Sequence, residues 1–437
     1  MNAYTELRKK IRDKKAVITV VGLGYVGLPM ALEFSKKGFM VHGLDKSEKR
    51  VKKLKKGVSY IKDVSDEEIL RVVGKGNFRV TTDDRVMSGS DVIMICVPTP
   101  LSEAKKPDVS FILAAGRTLR RRLRKGQLIV LESTTYPGTT REVMLPILEK
   151  TGLSPGKDFF LAFSPERIDP GNPKYTFTNI PKLVGGFTKR GTELARLLYS
   201  RVVGKVVGLS SPEAAEVAKL LENTFRIVNI GLINEFATLC NKLGIDVWEV
   251  IDAARTKPFG FMPFYPGPGV GGHCIPADPM YLSWKARKVG FETKMIDLAA
   301  KVNRNAPAHI VERIEALLRE RNKKIKGARI LIIGVAYKRD VNDLRESPAL
   351  DILQLLKKKK VTWTYHDPYI PFLDTHGMKA KPSRLTRSFL KKQDMVIIIT
   401  DHSCIDYRKI ASNARLVFDT RNAMGTRGIK GDNIVKL

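Results

Sequence analysis

Long apolar runs are missing from this chain. The most apolar stretches, such as Val17 to Leu23 and Val396 to Ile399, are strand-sized, far short of the roughly 20 residues a membrane-spanning helix needs. Cysteine is scarce: Cys96, Cys240, Cys274 and Cys404 lie far apart with no Cys-x-x-Cys spacing. That distribution fits neither a disulfide framework nor a zinc site, so no metal is expected. Near the N-terminus, Arg8, Lys9, Lys10, Arg12 and Lys14 stand where a secretory signal would carry its apolar core. A cytoplasmic protein without membrane insertion is therefore expected. Acidic residues are also in deficit, 45 against 77 Lys and Arg, for a formal net charge of +32. An excess of that size points toward nucleic acid or an anionic membrane surface. Yet the charge falls in helix-like patches, Lys52 to Lys56, Arg117 to Lys125, Lys323 to Lys326 and Lys357 to Lys360, without zinc-finger spacing or an RNP-type aromatic motif. Solvated helix faces are the expected reading, and no specific nucleic-acid partner is expected.

What is present begins with 43% hydrophobic residues in 437 positions, enough for two or three ordinary domains. Ala16 to Val21 is a β-branched apolar run, followed by Gly22-Leu23-Gly24-Tyr25-Val26-Gly27 and a helical pattern that Gly38 stops. Phe39 to Leu44 reads as the next strand and ends at Asp45. This is the Gly-x-Gly-x-x-Gly fingerprint in its strand–turn–helix setting: Gly22 for the turn, Gly24 for approach to a pyrophosphate, Gly27 for helix packing. A carboxylate at Asp45 suits ribose hydroxyls and repels a 2′-phosphate, which favours NAD over NADP. Further strands at Asp91 to Val97, Gln127 to Leu131 and Phe159 to Phe163 end near Thr99, Ser133, Thr134 and Glu166. In an open parallel sheet, ligands bind beyond such carboxyl ends. Each of the four could equally be a turn or cap residue.

Pro212 opens a long helical pattern running to about Leu243, with Lys219 and Asn223 four residues apart on one face. Flanked by Glu216, Glu222 and Arg226, that pair also reads as a solvated stripe. The stretch Pro263 to Pro279, containing Pro266 to Asp278, shows neither helix nor strand period. Cys274 is expected in a glycine-rich loop that a ligand can approach, with Asp278 four residues on, and so to be a presented nucleophile. His273 could activate it or support it from behind. A thiol beside a nicotinamide suggests a four-electron oxidation: the alcohol becomes an aldehyde, and a thiohemiacetal then gives a thioester that water hydrolyses.

A helical pattern from about Thr293 to Lys324 leads to Ala328 to Val335 and three more strand-like runs, Val361 to Tyr365, Met395 to Ile399 and Leu416 to Phe418. The expected fold is α/β, with two Rossmann-like parallel-sheet domains joined by a central helical domain. The boundaries fall at 1–208, 209–322 and 323–437. The loop after the first strand of the last domain carries Lys338 and Arg345, suited to a diphosphate or a carboxylate.

The ordered set Gly22 to Pro29, Val97-Pro98-Thr99-Pro100, Ser133-Thr134, Ser164-Pro165-Glu166, Lys219 through Asn223, Gly271-Gly272-His273-Cys274 and Asp343 to Pro348 resembles the UDP-glucose/GDP-mannose dehydrogenase family along nearly the whole chain. The resemblance implies NAD as cofactor, a UDP-sugar as substrate and a homodimer built on the central domain. It makes Cys274 the nucleophile and gives Lys219 and Asn223 the anionic oxygen of the tetrahedral intermediates. Asp278 then supports base chemistry with a water, Thr134 orients that water, and Glu166 serves thioester hydrolysis. A second acid often follows that glutamate in the UDP-glucose subgroup; here the stretch is Arg167-Ile168-Asp169-Pro170. The implied cofactor contacts are Gly22, Gly24, Tyr25, Val26, Gly27, Asp45, Arg50, Thr99, Ser133, Thr134 and Arg345. The implied substrate contacts are Glu166, Arg167, Lys219, Asn223, Lys257, Phe264, Gly271, Lys338 and Arg345. Glu132 to Gly138, Ser164 to Asn172 and Thr256 to Phe261 look most like enzymes acting on UDP-N-acetylglucosamine. UDP-glucose, UDP-N-acetylmannosamine and the galactosamine epimer remain as alternatives. A basic nucleic-acid or membrane-surface binder on a Rossmann scaffold is the reading from another class.

Overall fold

The structure, a computed structural model, describes residues 2–61, 64–102, 106–169, 172, 174–272 and 274–437. His273 and Pro170 lie outside the described residues. The chain forms two compact units, residues 1–222 with 280–291, and residues 223–279 with 292–437.

The first unit is built on an eight-stranded sheet. Its strands are β1 (Val17–Val21), β2 (Met40–Leu44), β3 (Phe78–Thr81), β4 (Val92–Ile95), β5 (Gln127–Leu131), β6 (Phe159–Phe163), β7 (Lys182–Gly186) and β8 (Val206–Leu209), in spatial order β3-β2-β1-β4-β5-β6-β7-β8. Strands β4, β5 and β6 are buried at every position, as expected when helices cover both faces of a sheet. Helices Gly27–Lys36 and Lys189–Tyr199 supply Leu28, Ala31, Phe34, Leu194 and Leu198 to one of its two cores. The sheet departs from the purely parallel expectation at one junction, where β6 and β7 run antiparallel. Strands β3, β7 and β8 were not anticipated. They are short, and two of them close on glycine or a polar residue rather than forming an apolar run.

The second unit carries a five-stranded parallel sheet. Its strands are β9 (Arg329–Ile333), β10 (Thr362–His366), β13 (Met395–Ile398), β14 (Val417–Asp419) and β15 (Ile434–Lys436), with a hairpin of β11 (Leu373–Thr375) and β12 (Met378–Ala380) beside them. Helix Lys294–Arg319 packs Ile310, Ile314 and Leu317 into the core of this sheet. Asn303 on that helix takes a hydrogen bond from the Asn234 side-chain amide at 3.0 Å, and Asn234 Oδ1 accepts from Gly267 N–H at 2.9 Å. Buried amides are satisfied in this way instead of being left orphaned.

One expectation is corrected here. Cys274 is not in an aperiodic loop reaching Pro279; it is the first residue of a helix, Cys274–Lys288. Proline misled the reading. Pro276 sits in the first turn, where its missing N–H would have had no partner in any case, and the helix continues through Pro279. Among the described residues, no helix is long and apolar enough to cross a membrane.

Candidate active site

At the mouth of β1 the glycines fit a dinucleotide. A Cβ on Gly22, whose φ is +92°, would stand 2.5 Å from the Cys96 carbonyl oxygen, and one on Gly27 would strike the Gly22 carbonyl. A Cβ on Gly24 would meet no protein atom within 4 Å, so that glycine leaves room for something other than the protein. The helix Gly27–Lys36 has no side-chain cap and no acid in its first turn, so the positive end of its dipole is left for a phosphate. Val26 is its N-cap, and Tyr25 is exposed. Asp45 is buried and accepts from Leu23 N–H at 2.9 Å, Ser47 N–H at 2.8 Å and Arg50 at 3.3 Å. Arg50 in turn lies over the Tyr60 ring.

Thr99, Ser133 and Thr134 gather at the ends of β4 and β5. Ser133 accepts from Val97 N–H at 2.9 Å and donates to Val97 O at 2.8 Å, which ties the two strand ends together. Thr99 donates to Thr134 O at 2.7 Å. Glu166, beyond β6, has Oε1 pinned by the N–H groups of Arg167 and Ile168 at 2.6 and 2.8 Å. Arg167 is held by Pro181 O and by Glu222, each at 2.6 Å. Glu166 Oε2 faces Lys182 Nζ at 3.4 Å. Lys182 also bonds Glu132 at 2.8 Å, and Tyr199 donates to the other oxygen of Glu132. Burial pushes Glu132 up to about 7. Lys182, Glu132 and Tyr199 were not anticipated as site residues; β7, which Lys182 opens, gave no strand signal, and Glu132 read only as the residue after β5.

Lys219 and Asn223 share the helix Pro212–Leu243, one turn apart. Lys219 is half-buried and Asn223 is buried. Glu216 is no solvated flank either. It is buried and caps Gly138 N–H and Thr140 N–H, the latter at 2.9 Å. The exposed residues of this helix include a row of large apolar side chains, Leu221, Phe225, Leu232, Phe236, Leu239 and Leu243, alongside Arg226, Glu235 and Lys242.

In the second unit, Asn223 donates to Asp278 Oδ2 at 2.5 Å. Asp278 lies one turn after Cys274 on the same helix, and Cys274 is exposed while Asp278 is buried. The glycines before the thiol are fitted to protein. A Cβ on Gly271 would stand 2.7 Å from Glu346 O and 2.8 Å from Tyr337 Cβ, and one on Gly272 would stand 2.8 Å from the Tyr337 ring. Gly272 N–H donates to Arg345 O at 3.0 Å. The 338–347 loop is itself constrained. Asp340 and Glu346 both have left-handed backbones, φ 62° and 49°, which side chains other than glycine rarely adopt. His402 accepts from Asp340 N–H at 2.9 Å and faces Asp367 at 3.0 Å through its other ring nitrogen. Arg345 chelates Asp343 through Nε at 3.1 Å and Nη2 at 2.6 Å. Lys338 is half-buried. Phe264 packs edge-on to Phe225, whereas Lys257 is exposed over Phe259. Arg421, two residues past β14, was also missed. It donates to Ile399 O at 2.9 Å, and burial with the like charge of Arg339 pushes its guanidinium down to about 10.

The glycine turn at the end of β1 and the buried Asp45 that closes β2 are the cradle of a nicotinamide-dependent dehydrogenase. Comparison with known proteins gives the family. The NAD binding domain of the UDP-glucose/GDP-mannose dehydrogenase family matches residues 16–203, its central domain residues 213–305 and its UDP binding domain residues 331–426. The chain is 38% identical over 359 residues to a UDP-N-acetyl-D-glucosamine 6-dehydrogenase of Pseudomonas aeruginosa, covering 82% of this chain and 84% of that protein. It is 35% identical to a UDP-N-acetyl-D-mannosamine dehydrogenase of Pyrococcus horikoshii, covering 93% and 95%. A solved UDP-D-ManNAc dehydrogenase from Pyrococcus horikoshii superposes with a TM-score of 0.86 at 34% identity, over 96% of this chain and 98% of that one. The chain belongs to the UDP-glucose/GDP-mannose dehydrogenase family and is an NAD-dependent nucleotide-sugar 6-dehydrogenase.

Proposed function

We propose that this protein oxidises the C6 alcohol of a UDP-N-acetylhexosamine, UDP-N-acetylglucosamine in the first place, to the uronic acid through a thioester on Cys274. The observation that carries the reading is the exposed Cys274 at the first turn of its helix, with the buried Asp278–Asn223 pair one turn on. Backbone N–H groups and the helix dipole at that position favour an anion, hence a thiolate. NAD, when bound, accepts the hydride of each oxidation. The chain's own residues do the rest. Lys219 and Asn223 hold the oxygen anion of the tetrahedral adducts, and Asp278 takes up protons through a water that Thr134 orients. Cys274 adds to the aldehyde carbon, and loss of hydride from that adduct leaves the thioester. Hydrolysis, served by Glu166, releases the sugar acid and restores the thiolate.

Gly22, Gly24, Tyr25, Val26, Gly27, Asp45, Arg50, Thr99 and Ser133 make the cofactor contacts. Arg167, Lys257, Phe264, Gly271, Lys338 and Arg345 make the remaining substrate contacts. Arg421 and Arg339 add positive charge at the end of the second sheet, where a diphosphate would relieve their mutual repulsion. The domains are divided at 1–208, 209–322 and 323–437. The protein works in the cytoplasm as a homodimer, the exposed apolar face of Pro212–Leu243 meeting a second copy. The Pyrococcus likeness keeps UDP-N-acetylmannosamine as the second reading. Side-by-side assay of NADH release from UDP-N-acetylglucosamine, UDP-N-acetylmannosamine and UDP-glucose, with mass analysis of each product, tests the assignment. The first sugar should give the highest kcat/KM and a product acid; better turnover of UDP-glucose refutes the N-acetyl reading.

A further inference from the structure

The antiparallel junction of the first sheet has a chemical consequence. Ala162 pairs with Gly186 and Phe163 with Gly185, and the same register extended past the end of β6 sets Glu166 opposite Lys182. A parallel strand here would have begun at the far end of the sheet. Reversal of β7 instead brings its first residue to the carboxyl ends of β5 and β6. Lys182 is 3% exposed, and a lysine is seldom buried so fully unless it is paired. Its partners are Glu132 at 2.8 Å and Glu166 at 3.4 Å, with the Phe177 and Tyr199 rings beside its ammonium group. Glu132 is fixed in turn by the Tyr199 hydroxyl. The Cys96 thiol also lies near it.

Glu166 is thus held at both oxygens by unlike means. Oε1 is locked by two backbone N–H groups, while Oε2 meets the Lys182 ammonium in a longer contact of 3.4 Å. We propose that Lys182, anchored by Glu132 and Tyr199, is a positioning residue that orients Oε2 of Glu166 for the water that cleaves the thioester. The inference rests on the reading of Glu166 as the group serving that hydrolysis. In the step itself, water adds to the thioester carbonyl carbon, its proton passes to Glu166, the C–S bond breaks and Cys274 leaves as thiolate. No redox equivalent is consumed. Glu132 and Lys182 touch neither substrate nor cofactor in this scheme. Their effect is to keep a directed carboxylate at the end of β6 instead of one free to rotate.

The test is to quench the full-length enzyme during steady-state turnover of UDP-N-acetylglucosamine and NAD, and to measure by intact mass the fraction carrying sugar on Cys274. Lys182→Met should lower kcat by about 10- to 100-fold, the scale of losing a group that orients a reacting one. KM should stay within about threefold, and the covalent fraction should rise well above that of the wild type. Lys182→Arg should restore most of kcat and lower the adduct again, which a generic packing defect would not predict. Glu166→Gln is the control and should accumulate the same adduct. If it does while Lys182→Met does not, the positioning role is overturned and the Glu166 reading stands. If Glu166→Gln accumulates none, both fall. Should Lys182→Met fail to fold, the Glu132→Gln/Lys182→Met pair leaves no stranded buried charge and carries the same expectation. A folded pair with normal kcat and no adduct overturns the proposal.

Discussion

Asn223 donates to Asp278 Oδ2 at 2.5 Å with both side chains buried, 5% and 2% exposed. The bond joins the long helix Pro212–Leu243 to the helix that Cys274 opens, so the orientation of each group depends on the other. Asp278→Asn keeps the shape but places one amide against another and removes the negative charge. It should lower kcat by about 10²-fold or more, with a stability loss of roughly 1–3 kcal/mol from the impaired buried pair. Asn223→Ala should cost about 10²- to 10³-fold in kcat, the scale of removing one oxyanion donor. Stopped-flow kinetics and thermal melts on both variants check this. Near-normal kcat in either one removes that residue from the catalytic set.

Cofactor choice is read from Asp45. Its carboxylate already accepts from Leu23 N–H, Ser47 N–H and Arg50, out of about four lone-pair positions. One position is left for a ribose hydroxyl unless Arg50 swings away, and Arg50 is 48% exposed on its side chain. The wild type should therefore prefer NAD strongly in kcat/KM. Asp45→Ala should reduce kcat/KM for NAD by about tenfold while that for NADP falls less, because the repulsion of a 2′-phosphate is gone. Equal use of both cofactors by the wild type would remove Asp45 from its role.

How much of this was legible in sequence varies by residue type. The Gly22–Gly27 turn was, because a strand, a glycine spacing and a following acid agree on one structure. Gln127–Leu131, Phe159–Phe163 and Pro212–Leu243 were legible to the residue, since apolar runs and a helical period are local signals. The start of the Cys274 helix was not, since prolines and glycines mark turns and helix first turns alike. Gly271 and Gly272 read as room for a ligand, yet their neighbours are Tyr337 and Glu346, some 65 to 75 residues away in sequence. Lys182 and Arg421 went unseen for the same reason: a single charge carries no period, and only the sheet register shows what it faces.

Leu221, Phe225, Leu232, Phe236, Leu239 and Leu243 recur at helical spacing on the exposed face of one helix. A row of exposed large apolar side chains of this kind marks an interaction surface. If a second copy covers it, a carboxylate in the stripe would be stranded without a partner, at a cost of several kcal/mol. Leu232→Glu and Phe236→Glu should each shift the protein from dimer to monomer in light scattering at micromolar concentration. A wild type that is monomeric throughout overturns the dimer.

The Glu132 carboxyl has a sign that can be worked out. Burial raises it from 4.5 to about 7, against the pull of Lys182. Between those values the folded protein holds a proton that the unfolded chain has released, so this group's contribution to stability falls as pH rises from about 4.5 to 7. The full span is on the order of 3 kcal/mol. Glu132→Gln removes the titration and keeps the shape. The melting temperature of the wild type relative to Glu132→Gln should therefore decline from pH 5 to pH 8. A difference that is flat or grows with pH would show that Glu132 is ionised throughout.

The most consequential prediction concerns Cys274. Oxidising an alcohol to an aldehyde needs only a hydride acceptor, but taking the aldehyde to an acid needs an adduct that can lose a second hydride. Cys96 and Cys240 are buried, and Cys404 is exposed beyond β13 of the last sheet. Cys274 alone combines exposure, a helix N-terminus and the Asn223–Asp278 pair one turn on. Cys274→Ser is nearly isosteric, so the binding of NAD and UDP-sugar should stay close to normal by calorimetry. Steady-state acid formation should fall by about 10³-fold or more, because a hydroxyl is a far weaker nucleophile than a thiolate. Lys219→Ala should lose about 10²- to 10³-fold in kcat as an oxyanion partner is removed. The wild type should release two NADH for each sugar acid, a ratio fixed by the four-electron chemistry, with no free aldehyde accumulating. If Cys274→Ser still delivers the acid at a near-normal rate, the thioester route fails whichever sugar is the substrate.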